Sequence, residues 1–345
     1  MLLNRAVLGR GNRLLSLNEK KNHQIFCKNF IRSLSMNYIR NGPDYIFSAA
    51  AYYYAKTFNR GSNMANLTAL KDIEQLSSSV CRILGQNPGP FTLQGTNTYL
   101  VGSGNSKILI DTGEPNITEY TEKLAEALGS SGKIEAIIIT HWHCDHVGGI
   151  PNVIKLLGGA EIPVYKFKRS DNVAETDYNY IYVKHDHEIN VEGATLQLIY
   201  SPGHTTDHMA ILHKEENALF SGDCILGEGS AVFEDLHSYM NSLNKFLEMK
   251  PSKIYPGHGP IVDNPQNKIE EYIKHRMQRE NDILSVLSET SGMSSMDITN
   301  AVYKDIPFAV KLGALGNVKH HLTKLIKDER VIKNGSDNYL LKSNN

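Results

Sequence analysis

The sequence predicts an α+β fold, with a larger domain of mixed strands and helices over residues 67–265 and a winged-helix-like domain over residues 266–345. In the first range, short β-rich segments alternate with helical patterns, and in the second range three helical patterns precede a hairpin signal. A third observation concerns chemistry, because the histidines and aspartates of the first range gather where predicted strands end. Residues 1–66 have the composition of a separate basic leader.

The leader differs from the rest of the chain in charge. Residues 1–66 carry ten Lys and Arg against two acidic residues, whereas residues 67–265 carry 14 basic and 25 acidic residues. An Arg-rich, acid-poor start is typical of a mitochondrial transit peptide, and a disordered basic arm is the alternative. We expect a location in the mitochondrial matrix, or in the cytoplasm if translation starts at Met64.

Hydropathy and cysteine usage narrow the class of protein. The most apolar stretch, residues 45–58, is too short and too rich in tyrosine to span a bilayer, so we expect no membrane partner. The chain has four cysteines, none of them closely spaced, which predicts a reduced compartment without structural disulfides. They are Cys27, Cys81, Cys144 and Cys224.

The first elements of the larger domain are short strands. Residues 80–84, 98–102 and 107–111 are β-rich and separated by Gly or Pro, which predicts three strands. Residues 117–128 repeat apolar side chains at helical spacing. Residues 134–140 are apolar almost throughout, as expected for a strand that is covered on both faces.

Later elements continue the mixture and end in a helical tail. Further strands are predicted at residues 195–204, 209–213, 218–223 and 253–259, with a helix at 236–249. Helices are then predicted at residues 267–287, 295–303 and 317–329. A hairpin is predicted within residues 330–342, around Asn334-Gly335.

The stretch THWHCDHVGG, residues 140–149, places His141, His143, Asp145 and His146 in one short loop. Neutral imidazole and carboxylate together are the ligands that zinc prefers. One ion takes three or four protein ligands, so four from a single loop, with others elsewhere, predict two Zn²⁺ ions.

Three more ligands are predicted in glycine-containing turns that follow strands: His204, Asp223 and His258. One ion is assigned His141, His143 and His204, the second is assigned Asp145, His146 and His258, and Asp223 bridges the two. Paired cations lower the pKa of a bound water from about 15.7 toward 7. The pattern thus predicts a hydrolase that attacks with a metal-bound hydroxide, and Asp145 orients the water that forms it or accepts the proton of that water. Asp145 and Asp223 are the predicted catalytic residues.

The order of these motifs, with Asp111 in ILIDTG ahead of them, resembles the metallo-β-lactamase superfamily and its glyoxalase II-related group. The resemblance covers about residues 76–262 and implies a four-layer αβ/βα sandwich with the metals at one edge. It also implies that Asp111 holds the histidine loop without binding metal. Residues 87–102, 222–229 and 255–260 are similar to an animal branch of this family.

That animal branch implies a mitochondrial endoribonuclease acting on single-stranded RNA, which is our preferred function. A small-thioester hydrolase of the glyoxalase II kind is the alternative. An RNA-binding module with structural metals is disfavoured, because seven ligands exceed the four of a closed structural zinc site. Where the relatives carry Arg, this chain has Cys144, which we expect to face away from the metals; losing that Arg puts the strength of phosphate contact in doubt.

RNA contact would need cations and stacking surfaces, since the acidic larger domain predicts weak long-range capture of RNA. For the cationic residues of the C-terminal tail, contact with phosphate and a solvated helix face are equally good interpretations. The cationic candidates in the tail are Lys274, His275, Arg276, Arg279, Lys319, Lys324 and Lys327. The local candidates are Lys166, Lys168 and Arg169, with Phe91, Tyr178, Tyr180 and Tyr182 for base stacking, although a strand face is the first explanation of the tyrosines.

Several other residues could be mistaken for parts of the site. We expect His185 and His187 to lie in a surface turn, and His320 and His321 to be solvated. A structural role is favoured for His208 over a contact with the site, and Cys224 is expected in the core. Asn97 and Thr98 are equally compatible with the cleft and with a turn.

Overall fold

The structure is a computed structural model that describes residues 66–343, except 172, 174, 176, 177 and 305. The predictions for the leader therefore lie outside the described residues. Among the helices that are described, none combines the length and apolarity that crossing a membrane requires.

One sheet joins seven strands in chain order. The first four strands pair antiparallel and the last four pair parallel. Its strands are β1 (Ile73–Gln75), β2 (Val80–Leu84), β3 (Asn97–Val101), β4 (Ser106–Ile110), β5 (Lys133–Ile138), β6 (Val164–Lys166) and β7 (Ile181–Tyr182). Because parallel neighbours need crossover connections, helices lie between them: α1 (Thr118–Leu128), α2 (Cys144–Val147) and α3 (Ile150–Leu156).

A second sheet has five strands in the order β12-β11-β10-β9-β8. They are β8 (His187–Val191), β9 (Ala194–Tyr200), β10 (Met209–His213), β11 (Ala218–Gly222) and β12 (Lys253–Pro256). Only β11 and β12 pair parallel, and the helix α4 (Leu236–Met249) connects them. The Asp235 side chain caps this helix by accepting a hydrogen bond from the Ser238 amide.

The two sheets pack face to face, with helices on both outer faces. The central core mixes side chains from both sheets, such as Tyr99 and Phe220, whose ring centroids lie 5.0 Å apart. A second core joins the first sheet to α1 and α3, and a third joins the other sheet to α4. The predicted four-layer αβ/βα sandwich is thereby confirmed.

The C-terminal part contains three helices and a hairpin, as predicted. They are α5 (Pro265–Val286), α6 (Ser295–Val302), α7 (Phe308–Lys327), β13 (Val331–Lys333) and β14 (Tyr339–Leu341). Their shared core includes Ile283, Ile298, Leu322 and Val331, one from each of α5, α6, α7 and β13. The boundary between residues 265 and 266 stays a prediction.

Some elements are absent from the sequence prediction. The strands β1, β6 and β7 have three, three and two residues, too few to show a period. The strand β8 begins at His187, so the prediction that His187 lies in a turn is wrong. Both His185 and His187 are exposed, as expected. Helix α7 begins at Phe308, well before residue 317.

Candidate metal centre

The seven predicted ligands follow the carboxyl ends of four strands. His141, His143, Asp145 and His146 come after β5, and the last two lie on the short helix α2. His204 follows β9, Asp223 follows β11 and His258 follows β12. Because both sheets present these strand ends at the same edge of the sandwich, the side chains converge.

The ligand atoms form two groups. In the first group, one atom each from His141, His143, His204 and Asp223 lie within 4.8 Å of one another. In the second group, atoms of Asp145, His146 and His258 meet the same limit. These are the two sets that the sequence predicts, and their role as metal ligands stays a prediction.

Asp223 lies between the two groups. Its Oδ2 is 3.7 Å from His204 Nε2 in the first group and 3.3 Å from His258 Nε2 in the second. Its Oδ1 is 3.4 Å from His146 Nε2. This is the position that a bridging ligand requires.

The residues present fit a pair of divalent cations. His146 Nε2 and Asp223 Oδ1 are buried without a hydrogen-bond partner among the described residues, and buried polar atoms are rarely left so. In the first group, His143 Nδ1 lies 2.9 Å from His141 Nε2 and 3.1 Å from His204 Nε2, so three ring nitrogens converge on one point. Five imidazoles and two carboxylates form a donor set of the kind that zinc takes.

The two groups differ in charge. Burial and the neighbouring His204 ring lower the pKa of His143 to about 3, and burial also lowers the pKa values of His141 and His204, so the three imidazoles of the first group are neutral near pH 7. In the second group, burial opposes the charged form, but the carboxylates of Asp223 and Asp145 raise the pKa of His258 to about 10. A cation entering the second group must therefore displace protons, whereas the first group is ready to bind.

Asp111 lies beneath the histidine loop, outside both groups. Its Oδ2 is 2.7 Å from His146 Nδ1 and also accepts the Thr140 hydroxyl at 2.8 Å. Its Oδ1 accepts the Thr140 amide at 2.8 Å. The backbone of Asp111 has φ 59°, a left-handed conformation that non-glycine residues adopt at a cost. The structure thus places it where it can hold His146 from behind.

Glycines permit the close approach of these turns. A Cβ at position 257 would lie 2.3 Å from Asp223 Oδ1. At Gly222, which has φ 48°, a Cβ would lie 2.7 Å from His208 Nε2. Side chains at either position would push apart the parts of the site.

Several contacts behind the ligands are missing from the sequence interpretation. The Thr96 hydroxyl donates to Asp145 Oδ2 at 3.0 Å, and His208 Nε2 accepts the Asp223 amide at 3.2 Å. His208 therefore contacts the site, against the role favoured for it. Asn97 and Thr98 lie buried in β3 rather than in the cleft, and Asn97 Nδ2 donates to Pro256 O and Gly259 O around the His258 turn.

Other residues are placed partly as expected. Cys144 is exposed and belongs to neither ligand group, and Cys224 is buried in the core. The expectation for His321 is wrong, because it is 1% exposed.

Most of the cations considered for RNA contact are engaged inside the protein. Lys166 is fully buried and pairs with Asp207 and Glu175, so it cannot reach a ligand. Arg276 is buried as well, and Lys324 pairs with Glu280 at 2.6 Å. For these residues the phosphate-contact interpretation is wrong.

Lys168 is exposed, and its Nζ lies 5.9 Å from the ring centroid of Tyr182, whose side chain is 43% exposed. The neighbouring Arg169 lies 4.1 Å over the ring of Trp142, next to His143. Lys168, which lies beside an exposed aromatic ring, is therefore the chain neighbour of a residue that contacts the histidine loop.

Comparison with known proteins agrees with this architecture. Residues 91–258 match the sequence model described as Metallo-beta-lactamase superfamily, and residues 294–338 match the Beta-lactamase associated winged helix domain. Among solved structures, a beta-lactamase domain protein from Burkholderia ambifaria has TM-score 0.66 and 17% sequence identity, covering 81% of this chain and 96% of that chain. At that identity the likeness shows the fold alone.

Curated relatives are more similar in sequence. The Beta-lactamase-like protein 2 homolog of Caenorhabditis elegans is 56% identical over 267 residues, which span 77% of this chain and 90% of that protein. Its Drosophila melanogaster namesake is 46% identical over 268 residues, 75% of this chain and 91% of that protein. Atrochrysone carboxyl ACP thioesterase of Passalora fulva is 38% identical over 245 residues, 70% and 71% of the two chains. With its fold, its histidine loop and these relatives, the chain belongs to the metallo-beta-lactamase superfamily, a family of metal-dependent hydrolases.

Proposed function

We propose that this protein is an endoribonuclease that cleaves single-stranded RNA and holds two Zn²⁺ ions. The observation that carries the proposal is the convergence of seven ligand side chains into two adjacent groups with Asp223 between them. A closed structural zinc site uses four ligands, so this larger set favours catalysis. The choice of RNA rests on the motif resemblance and on the identity with the two beta-lactamase-like protein 2 homologues.

Each group would hold one ion. The first ion would be held by His141, His143 and His204, the second by Asp145, His146 and His258, and Asp223 would contact both. When bound, such a pair acidifies a water and stabilises charge on the attacking and leaving oxygens of a phosphodiester.

Asp145 is suited to handling the attacking water. Its side chain is 18% exposed, while those of His146 and His258 are 0% and 2% exposed, so it is the ligand nearest to solvent in the second group. The Thr96 hydroxyl occupies Oδ2 and fixes the carboxylate. We assign Asp145 the task of orienting the water and accepting its proton, and Asp223 that of fixing the spacing of the two groups.

Single-stranded RNA would contact the protein near Lys168 and Tyr182. Stacking of an unpaired base on Tyr182, with Lys168 beside a phosphate, needs no sequence-specific contact. Because Lys166, Arg276 and Lys324 are engaged internally, we expect binding of modest affinity with weak dependence on salt.

A thioester hydrolase is the second candidate. The Passalora fulva relative named as a carboxyl ACP thioesterase favours it, as does the internal engagement of Lys166, Arg276 and Lys324, which were candidates for RNA contact. The same seven side chains would serve, because hydrolysis of either substrate needs an activated water and stabilisation of negative charge on oxygen at the reacting centre.

The test compares two substrates on the purified full chain loaded with Zn²⁺: labelled single-stranded RNA, with a duplex of the same sequence beside it, and S-lactoylglutathione. We expect cleavage of the single strand, loss of that activity in His204→Ala, and full activity in His185→Ala, which changes an exposed histidine outside the ligand groups. Turnover of the thioester with intact RNA would replace the first candidate by the second.

We also propose the mitochondrial matrix as the location, from the composition of residues 1–66. A fluorescent fusion of the full chain should enter mitochondria, and a fusion starting at Met64 should stay in the cytoplasm. Identical distributions of the two fusions would contradict a targeting role for the leader.

A further inference from the structure

Arg276 is a buried cation far along the chain from the histidine loop. It lies on α5 and is 5% exposed. Its Nη2 donates to Ser230 Oγ at 2.8 Å and to Ala231 O at 2.9 Å. Burying a guanidinium is costly unless its N–H groups are paired. Here Nη2 pairs with one loop, residues 228–235, which we call the clasp, while Nη1 lies 2.9 Å from His275 Nδ1 on α5 itself.

Aromatic side chains enclose this guanidinium. Its carbon lies 5.6 Å from the ring centroid of Phe233, 5.7 Å from that of Tyr239 and 5.3 Å from that of Tyr272. The Phe233 and Tyr239 rings stack with centroids 5.3 Å apart. The clasp is therefore fixed to α5 by hydrogen bonds and by ring contacts at the same point.

A second helix of the C-terminal part holds the far end of the clasp. Lys327 on α7 pairs with Asp235, the residue that caps α4. Asp328 pairs with His237 in the first turn of that helix, at 3.0 Å. The clasp is thus anchored at both ends by residues that lie outside the sandwich.

The clasp in turn holds His204. Val232 O accepts from His204 Nδ1 at 2.8 Å, and the Glu234 amide donates to Gly203 O at 2.8 Å and to His204 O at 3.2 Å. With its proton on Nδ1, the imidazole has Nε2 free to bind a cation, and carbonyl partners of this kind tune metal sites. The hydrogen bonds therefore run from α5 through the clasp to a ligand of the first group.

We propose that Arg276 is a positioning residue for the metal centre: it fixes the Val232 carbonyl and thereby the orientation of His204. On this proposal the C-terminal helices contribute to orienting a ligand of the first group rather than to binding RNA. The inference concerns cation binding, so it holds whichever substrate the protein hydrolyses.

A purely structural role makes a different prediction. If Arg276 only stabilised the fold, its loss would lower thermal stability and weaken both ligand groups alike. If it positions His204, its loss weakens the first cation selectively, because among the described residues the clasp makes its hydrogen bonds to the site at His204 and not at Asp145, His146 or His258. Changes to groups behind metal ligands typically weaken metal affinity roughly 10–100-fold.

The test titrates the full chain, freed of metal, with Zn²⁺ against a chromophoric chelator and with Co²⁺ by absorption. The variants are Arg276→Gln and Arg276→Lys, with Arg279→Gln as the matched control, since Arg279 pairs with Asp282 and lies over Tyr303 without touching the clasp. We expect Arg276→Gln to weaken one cation roughly 10-fold or more and to spare the other. The affinity of Arg276→Lys for that cation should lie between the affinities of Arg276→Gln and the wild type, because an ammonium cannot reproduce the planar fork of donors.

Ser230→Ala extends the test in case Arg276→Gln fails to fold. It removes one hydrogen bond from the guanidinium and leaves the buried cation in place, so a selective weakening of roughly threefold to fivefold is expected. Histidine-labelled NMR of the Zn²⁺-loaded protein should show the His204 Nδ1 proton exchanging faster in the variant. Unchanged affinities and exchange in folded Arg276→Gln or Ser230→Ala, or equal weakening of both cations, would overturn the proposal.

Discussion

At the scale of single residues, the site depends on side chains behind the ligands. Asp111 is held in a left-handed conformation and uses both carboxylate oxygens, one toward Thr140 and one shared between Thr140 and His146. A backbone conformation of this cost persists where the surroundings impose it. Its strain and its contacts both point to a role in fixing the histidine loop.

Replacing Asp111 by Asn keeps the shape and removes the negative charge opposite His146. We expect Asp111→Asn to weaken the cation of the second group roughly 10–100-fold, because the carboxylate fixes and enhances the basicity of the imidazole. Zn²⁺ titration measures this. Asp186→Asn is the control, since Asp186 also has a positive φ but is exposed on the surface; equal affinities in the two variants would contradict the role of Asp111.

The convergence of the seven side chains could be predicted from sequence, and the family resemblance implied the position of Asp111, while the other supporting contacts could not be predicted. Histidines crowded into one loop have few explanations other than a metal, and strand-end turns supplied the remaining candidates. By contrast, the Val232 carbonyl reaches His204 across 28 positions, and the Thr96 hydroxyl reaches Asp145 across 49. Such pairs depend on the folded arrangement of loops, which no local pattern reports.

At the scale of elements, the length of a strand determined whether the sequence pattern could predict it. Strands of five or more mostly apolar residues, such as β2 and β10, follow the predicted ranges, whereas the three residues of β6 include the buried Lys166. The start of α7 contains Gly313 and Gly316, which lower helix propensity. Packing against the rest of the C-terminal core extends the helix through them, and no propensity argument anticipates this.

The end of the sandwich away from the metal centre has a polar link between the two sheets. Ser79 Oγ, beside β2, lies 2.8 Å from His213 Nε2 at the end of β10 and donates to Glu216 Oε1 at 2.6 Å. Tyr255 on β12 donates to the other oxygen of Glu216 at 2.9 Å.

Removing the central hydroxyl should destabilise the fold and leave the site intact. We expect Ser79→Ala to lower the free energy of unfolding by roughly 1–3 kcal/mol, because His213 and Glu216 lose a buried partner. Denaturant titration measures the change, with the exposed Ser103→Ala as control. A Ser79→Ala variant as stable as the control would show that the link contributes nothing.

At the scale of the whole molecule, a buried histidine makes the stability of the fold depend on pH. His321 lies on α7 near Arg276, Lys324 and Arg279, and burial together with these cations lowers the pKa of His321 to about 3. An unfolded histidine titrates near 6.5. Between those values the unfolded chain binds more protons than the folded chain, so stability falls as the pH drops below about 6.5 and is unaffected above it.

The variant His321→Gln should reduce this acid sensitivity. Its free energy of unfolding should decline less steeply between about pH 6.5 and pH 4, by up to roughly 1.4 kcal/mol per pH unit. Thermal or urea unfolding across that range measures the slope, and the exposed His185→Gln serves as control. Parallel pH profiles for His321→Gln and the wild type would contradict a neutral, buried His321.

The proposed function depends on two cations that one edge of the sandwich would hold. The most direct measurement is elemental analysis of the purified, active full chain, followed by chelation and reconstitution. We predict about two equivalents of a divalent transition metal per chain, loss of hydrolysis when they are removed, and recovery on adding Zn²⁺. Active protein free of transition metal, or turnover that a strong chelator leaves unchanged, would contradict the account.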